Sequence, residues 1–512
     1  MATDYDKPAE MPDGFEGDYW IDEQIWGHRL YDEQTPWLTL LEFLTVFQSD
    51  PSLMTQDNLR YRPQRQLRLR NVVFNNPFFT ELVRDPPLTD AVAWDRWLEL
   101  MKGTVTPSNL PPLTELKSKI PRFADFARLV GYLRRTAIEG NSNKRWSSKF
   151  VFPFGRHSLY EDLRVSENGA SNDRRFFARN GELLYLMLAR SGKADQVASE
   201  LQRRFFAQPD PTDDIVGILQ GSALPAEEKS AGYLPYKRLP EYDTLADDWI
   251  FLLGQRLPKF DVLPYIVTMT GLHLLIYFLR RASATAGRVD TPVFVCEIVG
   301  PRRSAVRDVA LSSFESNQAL PRVAVDTLVK SVVKDPRWSE ALNDPEPINA
   351  AAQVLARHFN WPDDDELQDM NCRSPEHLLE ELLSRALGRH KQHVGKIHGS
   401  WARAIGLSSR RGSQRVRYAP TDALLKALVF ANVQSRMEFK DFLKRLYERY
   451  GFVIGEQHAA SYITEDQADL EDFAENAMRL EERLTSLGLM HRLSDGCAYV
   501  ELPFRGRSHH RE

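Results

Sequence analysis

Apolar side chains recur at steps of three and four over long stretches of this chain and alternate at a step of two in few places, which predicts a mainly α-helical protein. Behind Pro36, the run Trp37, Leu38, Leu40, Leu41, Phe43, Leu44 and Phe47 is apolar on most sides and predicts a buried helix. Helical spacing also marks Thr89 to Lys102, Arg122 to Ile138 and Gly181 to Arg190, the last behind a polar loop from Ser166 to Asp173. A further helix opens at Ser374 and runs to about Gly388. Ser374 can cap it, Pro375 suits the first position because no N–H is needed there, and Glu376 favours the positive helix end. The clearest strand is Pro292 to Val299, where β-branched and aromatic residues dominate before Gly300-Pro301. One such strand argues against a large parallel sheet.

Residues 418–504 carry the most legible pattern. Thr421 caps a helix with Leu424, Leu425, Leu428 and Val429; a second carries Phe439, Phe442, Leu443, Leu446, Tyr447 and Tyr450 and stops at Gly451. A third runs from about Asp466 through Phe473, Leu480 and Leu484 to Gly488. The period then becomes two, with Asp495-Gly496 as a hairpin turn between Leu489–Leu493 and Ala498–Leu502. Helices feeding a short hairpin predict a winged-helix-like domain that folds alone. Its third helix holds Asp466, Asp469, Glu471, Asp472, Glu475, Glu481 and Glu482 against Arg479 and Arg483, so protein interaction is favoured over DNA reading, which needs cations on phosphates.

At 512 residues the chain exceeds one ordinary core, and 42% hydrophobic with 27% charged residues fits a folded globular protein. The expected division is an aromatic-rich helical N-terminal domain (1–145), a central, mostly helical domain with the strand near 292–299 (146–383), a basic linker (384–417), the winged-helix-like domain (418–504) and a disordered tail (505–512). A net charge of -5 gives no global attraction to nucleic acid or membrane. The polar, acidic N-terminus and three scattered cysteines predict a cytoplasmic location with reduced thiols. Val262 to Leu279 is long and apolar enough for a membrane check, but Pro264, Thr268, Thr270, Gly271 and His273 favour a buried core helix, and no membrane partner is expected.

The strongest charge asymmetry lies between Ser384 and Arg417, with nine Arg and Lys and no acid. Arg403, Arg410, Arg411, Arg415 and Arg417 are candidate contacts for nucleic acid, with Trp401 and the histidines as stacking partners; a solvated linker is the competing reading. Arg174, Arg175 and Arg179 flank Phe176 and Phe177 as a candidate anion or partner site, against surface arginines at a helix cap. His390, His393 and His398 lack neighbouring Cys, Asp or Glu to complete a metal set, and Asp363 to Glu366 fits a helix start better than a cation site. No metal or other cofactor is expected. Asp290 and Glu297 flank or occupy the best strand as nuclease carboxylates would, but Val299 stands where Glu-x-Lys needs lysine, and P-loop, G-x-S-x-G and H-E-x-x-H motifs are missing.

Two blocks, Trp26-Gly27-His28-Arg29 with Gln34 to Leu44, and Arg179 to Leu188, resemble uncharacterised proteins of bacterial anti-phage operons, closest to an accessory protein of methylation-associated defence systems. The resemblance implies a scaffold, sensor or regulator beside other proteins of a defence operon, a DNA methyltransferase among them. It supplies no catalytic residue. A non-enzymatic role is therefore expected, with weak, non-specific nucleic-acid contact through the basic segment. An unrecognised nuclease or other DNA-processing enzyme is the alternative.

Overall fold

A computed structural model describes residues 11–502 apart from 13–14, 16–17, 50–53, 55–59, 64–67, 77–81, 83–87, 103–112, 140–148, 161–162, 167–168, 173–176, 222–227, 231–233, 301–303, 412–414, 463–467 and 495–496. The described residues are mainly helical, with short strands. They form two compact units, Glu33–Gly232 and a second built from both chain ends, Met1–Asp32 with Tyr233–Glu512.

In the unit Glu33–Gly232, helices α1 (Pro36–Ser49) and α2 (Asn180–Ala189) pack on each other, and both are buried on nearly every side. Their apolar residues run all round the helix, so burial on every face is the arrangement that removes them from water. A second aromatic cluster joins the helices Asp90–Met101 and Phe123–Arg135: the Trp94 and Phe126 rings lie 4.7 Å apart, and Trp97 and Phe126 4.9 Å. The expected boundary at 145 does not divide this unit, because Ile138 pairs with Phe150 across it and α2 belongs with α1. The expected polar loop at 166–173 contains half of a hairpin, Leu163–Ser166 paired with Gly169–Asn172.

The other unit is built on helices α3 (Pro240–Leu253), α4 (Leu263–Thr285), α5 (Val306–Lys330), α6 (Pro375–Gln392) and α7 (Val394–Ala404). Among the described residues α4 alone is long and apolar enough to cross a membrane, and 78% of its apolar window is buried within the protein. Helices α6 and α7 correct the expectation of a linker at 384–417. Val394, Ile397, His398, Trp401 and Ala402 form a buried face on α7, and burying that face orders the segment.

Toward the C-terminus follow α8 (Asp422–Asn432), strand β2 (Arg436–Glu438), α9 (Phe439–Tyr450), α10 (Leu470–Ser486) and strands β4 (Met490–Ser494) and β5 (Cys497–Glu501), with β3 (Phe452–Val453) directly after α9. Strands β2, β5 and β4 lie in that order in one antiparallel sheet. The turn residues Asp495 and Gly496 fall outside the described residues, as does the expected tail at 505–512. This region is not self-contained. Strand β1 (Phe294–Val295) pairs in parallel with β3, and the Asn476 amide donates to the Cys296 and Ile454 carbonyls at 2.9 Å while accepting from the Ile298 N–H at 2.7 Å. The expected strand 292–299 is thus two residues of ladder, followed by chain held by a side chain of α10.

Candidate functional site

The blocks Gln34–Leu44 and Arg179–Leu188 meet inside the unit Glu33–Gly232. The Gln34 carbonyl oxygen accepts from the N–H groups of Ala178 and Asn180 at 3.0 and 3.1 Å, and the Glu42 carboxylate from those of Arg179 and Gly181 at 3.0 and 2.6 Å. Donors at the start of a helix have no partner within it, so these two side chains cap α2 from outside. Arg179, held at φ 74°, donates to Glu182 at 2.6 Å, and the Tyr61 hydroxyl donates to the other Glu182 oxygen at 2.6 Å. Burial, then Glu182, pushes the Glu42 carboxyl upward against hydrogen bonds from Gln34, Gly181 and Arg179. Of the expected arginine site, Arg179 belongs to this network, while Arg174 and Arg175 lie outside the described residues. The centre holds α1 to α2.

The basic segment divides by exposure. Arg403, Arg410, Arg411 and Arg415 are exposed, whereas Arg417 is 1% exposed and paired with Glu297, itself 2% exposed. Arg417 also donates to the Arg411 carbonyl at 3.2 Å. Arg417 therefore leaves the candidate nucleic-acid contacts, and Glu297 is occupied by a buried ion pair. The three histidines do not converge: His393 faces Asp32 at 3.0 Å, His398 faces the Tyr418 hydroxyl at 2.6 Å, and burial lowers His390 to about 4 and His398 to about 3. Among the described residues no group of three or more His, Cys, Asp or Glu is placed to hold a metal ion. Asp363 caps the helix Asp364–Asp369 by accepting from the Glu366 N–H at 2.7 Å, so this acidic run is a helix start.

Sequence reading missed two polar clusters. Asp248 on α3 accepts from Tyr450 at 2.7 Å, lies 2.7 Å from His273 and pairs with Arg449, so this buried carboxylate is taken up by partners within the chain. In the short helix Asp22–Trp26, Asp22 and Glu23 are buried against Arg389 of α6, with Glu23 accepting at 3.2 Å. Burial above all, with Asp22 adding to it and Arg389 opposing, pushes Glu23 up to about 7 from its ordinary 4.5. The folded chain therefore keeps a proton that the unfolded chain releases, and this group's contribution to stability falls as pH rises from about 4.5 to about 7, by up to roughly 3 kcal/mol. Glu23→Gln, which preserves the oxygen facing Arg389, is expected to flatten that fall. Urea unfolding at about pH 5 and about pH 7.5 reads it, and an equal drop in parent and variant refutes the assignment.

The outward face of α10 is of another kind. Glu471, Glu475 and Glu482 are exposed beside Leu470 and Met478, which are 47% and 56% exposed. Its two arginines face acids, Arg479 donating to Glu475 at 2.7 Å and Arg483 to Asp422 at 2.6 Å. The helix presents carboxylates and apolar surface to solvent. No family model, no curated protein and no solved structure matches the chain.

Proposed function

We propose that the chain acts without chemistry of its own, as a scaffold, sensor or regulator within a bacterial anti-phage defence complex in the cytoplasm, and that residues 418–504 are a winged-helix module that docks a protein. The observation that carries this reading is the face of α10. The order α8, β2, α9, β3, α10, β4, β5, with β5 in the middle of the sheet formed with β2 and β4, supports a winged helix in which α10 would be the reading helix. Three exposed glutamates there would face phosphates and repel them, whereas carboxylates around Leu470 and Met478 suit a protein surface. The defence setting rests on the blocks around Glu42 and Glu182, whose side chains form the centre of the other unit.

Co-expression with each protein encoded beside it, followed by size-exclusion chromatography, tests the proposal. A stable complex with one of them is expected, and Glu471→Lys/Glu475→Lys/Glu482→Lys should abolish it while unfolding at the parental midpoint. Assembly that survives these changes overturns the docking face, and a chain that joins none of its neighbours overturns the complex role.

Weak nucleic-acid contact is assigned to Arg403, Arg410, Arg411 and Arg415, the exposed arginines of the basic segment. Four arginines reaching phosphates give a log affinity against log salt slope of about -3 to -4 on duplex DNA. Changing all four to Glu is expected to remove binding at low salt, as read by fluorescence anisotropy. An unchanged slope would assign the contact elsewhere.

A further inference from the structure

The geometry points to an anion site at Arg68 in the unit Glu33–Gly232, and we propose that it takes a phosphoryl group. Arg68 is 1% exposed, and its Nε and Nη2 atoms, the edge with which a guanidinium grips two oxygens side by side, meet no acceptor. Its counter-charge is Glu115, 3.4 Å from Nη1, and that carboxylate side chain is 41% exposed. Burial lowers the Arg68 pKa, and Glu115 only partly opposes this.

Among the described residues, Glu115 is the one carboxylate paired with Arg68. Arg70, also buried, stands 4.6 Å above the Phe150 ring, and Arg134 donates to the carbonyls of Val73 and Asn76 at 2.6 and 2.8 Å. The Gln220 oxygen is engaged by the Leu69 N–H at 3.0 Å. Gly221, at φ +76°, presses on the other side of the guanidinium, where a Cβ would stand 2.4 Å from Nη1. Arg68 is thus held at Nη1, while its two-pronged Nε–Nη2 edge is buried without an acceptor. A buried guanidinium whose half-exposed partner Glu115 accepts from Nη1 alone leaves its Nε–Nη2 edge unsatisfied, and a bound oxyanion reverses that balance. A phosphoryl group brings the charge and the paired oxygens that this edge matches, whether as free phosphate or as part of a nucleotide.

The test is urea unfolding of the full chain in inorganic phosphate, in a nucleoside triphosphate and in acetate, each against chloride at equal ionic strength. Unfolding opens an enclosed site, so the midpoint reports binding however slowly the folded form exchanges. The parental midpoint is expected to rise with the logarithm of phosphate concentration. A stronger rise with the triphosphate identifies a nucleotide, and one matching inorganic phosphate identifies the free ion. Arg68→Met should be insensitive to phosphate, and Arg68→Lys, which keeps the charge without the fork, should show a weakened rise even if the methionine variant does not fold. Exposed Arg128→Met should respond like the parent. A parental midpoint that ignores phosphate, one that rises equally with acetate, or an Arg68→Lys response equal to the parent's overturns the proposal.

Discussion

Replacing Glu297 with Ala is expected to destabilise the unit built from both chain ends by about 3 to 5 kcal/mol, because it strands the Arg417 guanidinium in the interior. Glu297 and Arg417 are both nearly without solvent contact and hold each other directly, and the Glu297 N–H donates to the Tyr418 carbonyl at 3.0 Å. The pair thus fastens the segment after β1 to residues 417–418, which lead into α8. Losing one charge costs far more than losing both, since matched apolar replacements of buried pairs are often neutral. The double variant Glu297→Leu/Arg417→Met is therefore expected to regain most of the lost stability. Denaturant titration of the parent, the single variants and the double variant checks it. The same set separates this structural role from the nuclease reading: a catalytic Glu297 predicts metal-dependent DNA or RNA cleavage by the parent, with Glu297→Gln losing activity at unchanged stability. Additive losses in the double variant would refute the ion-pair account.

Elements that end in a local device were readable. Ser374 and Thr421 accept from backbone N–H groups three residues on, and Gly451 and Gly488 adopt φ 76° and 69° at helix ends. Such signals lie within one turn of chain, so the sequence displays them. The basic segment was misread as a linker because its counter-charges are remote. Arg389 finds Glu23 across 366 positions and Arg417 finds Glu297 across 120. Counting charge along the chain sees nine cations and no acid, while the folded chain sets Arg385, Arg389 and Arg417 against acids outside the segment and exposes the other six.

Parallel pairing was hidden for a related reason. Strand β3 is two residues long and begins where α9 stops, so no alternation develops, and only its partner β1 carried a recognisable run. Helix α5 escaped notice because it is polar over much of its length and has Pro321 inside it, which ordinarily argues for a break. Its buried stripe, including Val309, Phe314, Leu320 and Val325, becomes meaningful against α4. In the candidate site the meeting of the two blocks is not visible in the sequence: that Gln34 and Glu42 cap a helix beginning at Asn180 depends on a crossing of α1 and α2 that no local pattern records.

Gly181→Val is expected to separate α1 from α2 and to destabilise the unit Glu33–Gly232 by about 3 kcal/mol or more, the upper end of what overpacking costs. A Cβ at this position would stand 2.5 Å from the backbone nitrogen of Phe43 and 2.6 Å from the Glu42 Cβ. The first obstacle is main chain inside a buried helix, so no rotamer change relieves it. Moving the helices apart also stretches the 2.6 Å bond from the Gly181 N–H to Glu42 and uncouples Gln34 from Ala178 and Asn180, leaving buried helix-start donors without acceptors. Gly131, in the helix Phe123–Arg135 of the same unit, is the control: a Cβ there meets nothing within 4 Å, and Gly131→Ala should be neutral or stabilising by up to about 1 kcal/mol. Denaturant unfolding of both variants decides the matter. A Gly181→Val midpoint equal to the parent's would mean that α1 and α2 do not approach as described, and the cap that joins the two sequence blocks would lose its basis.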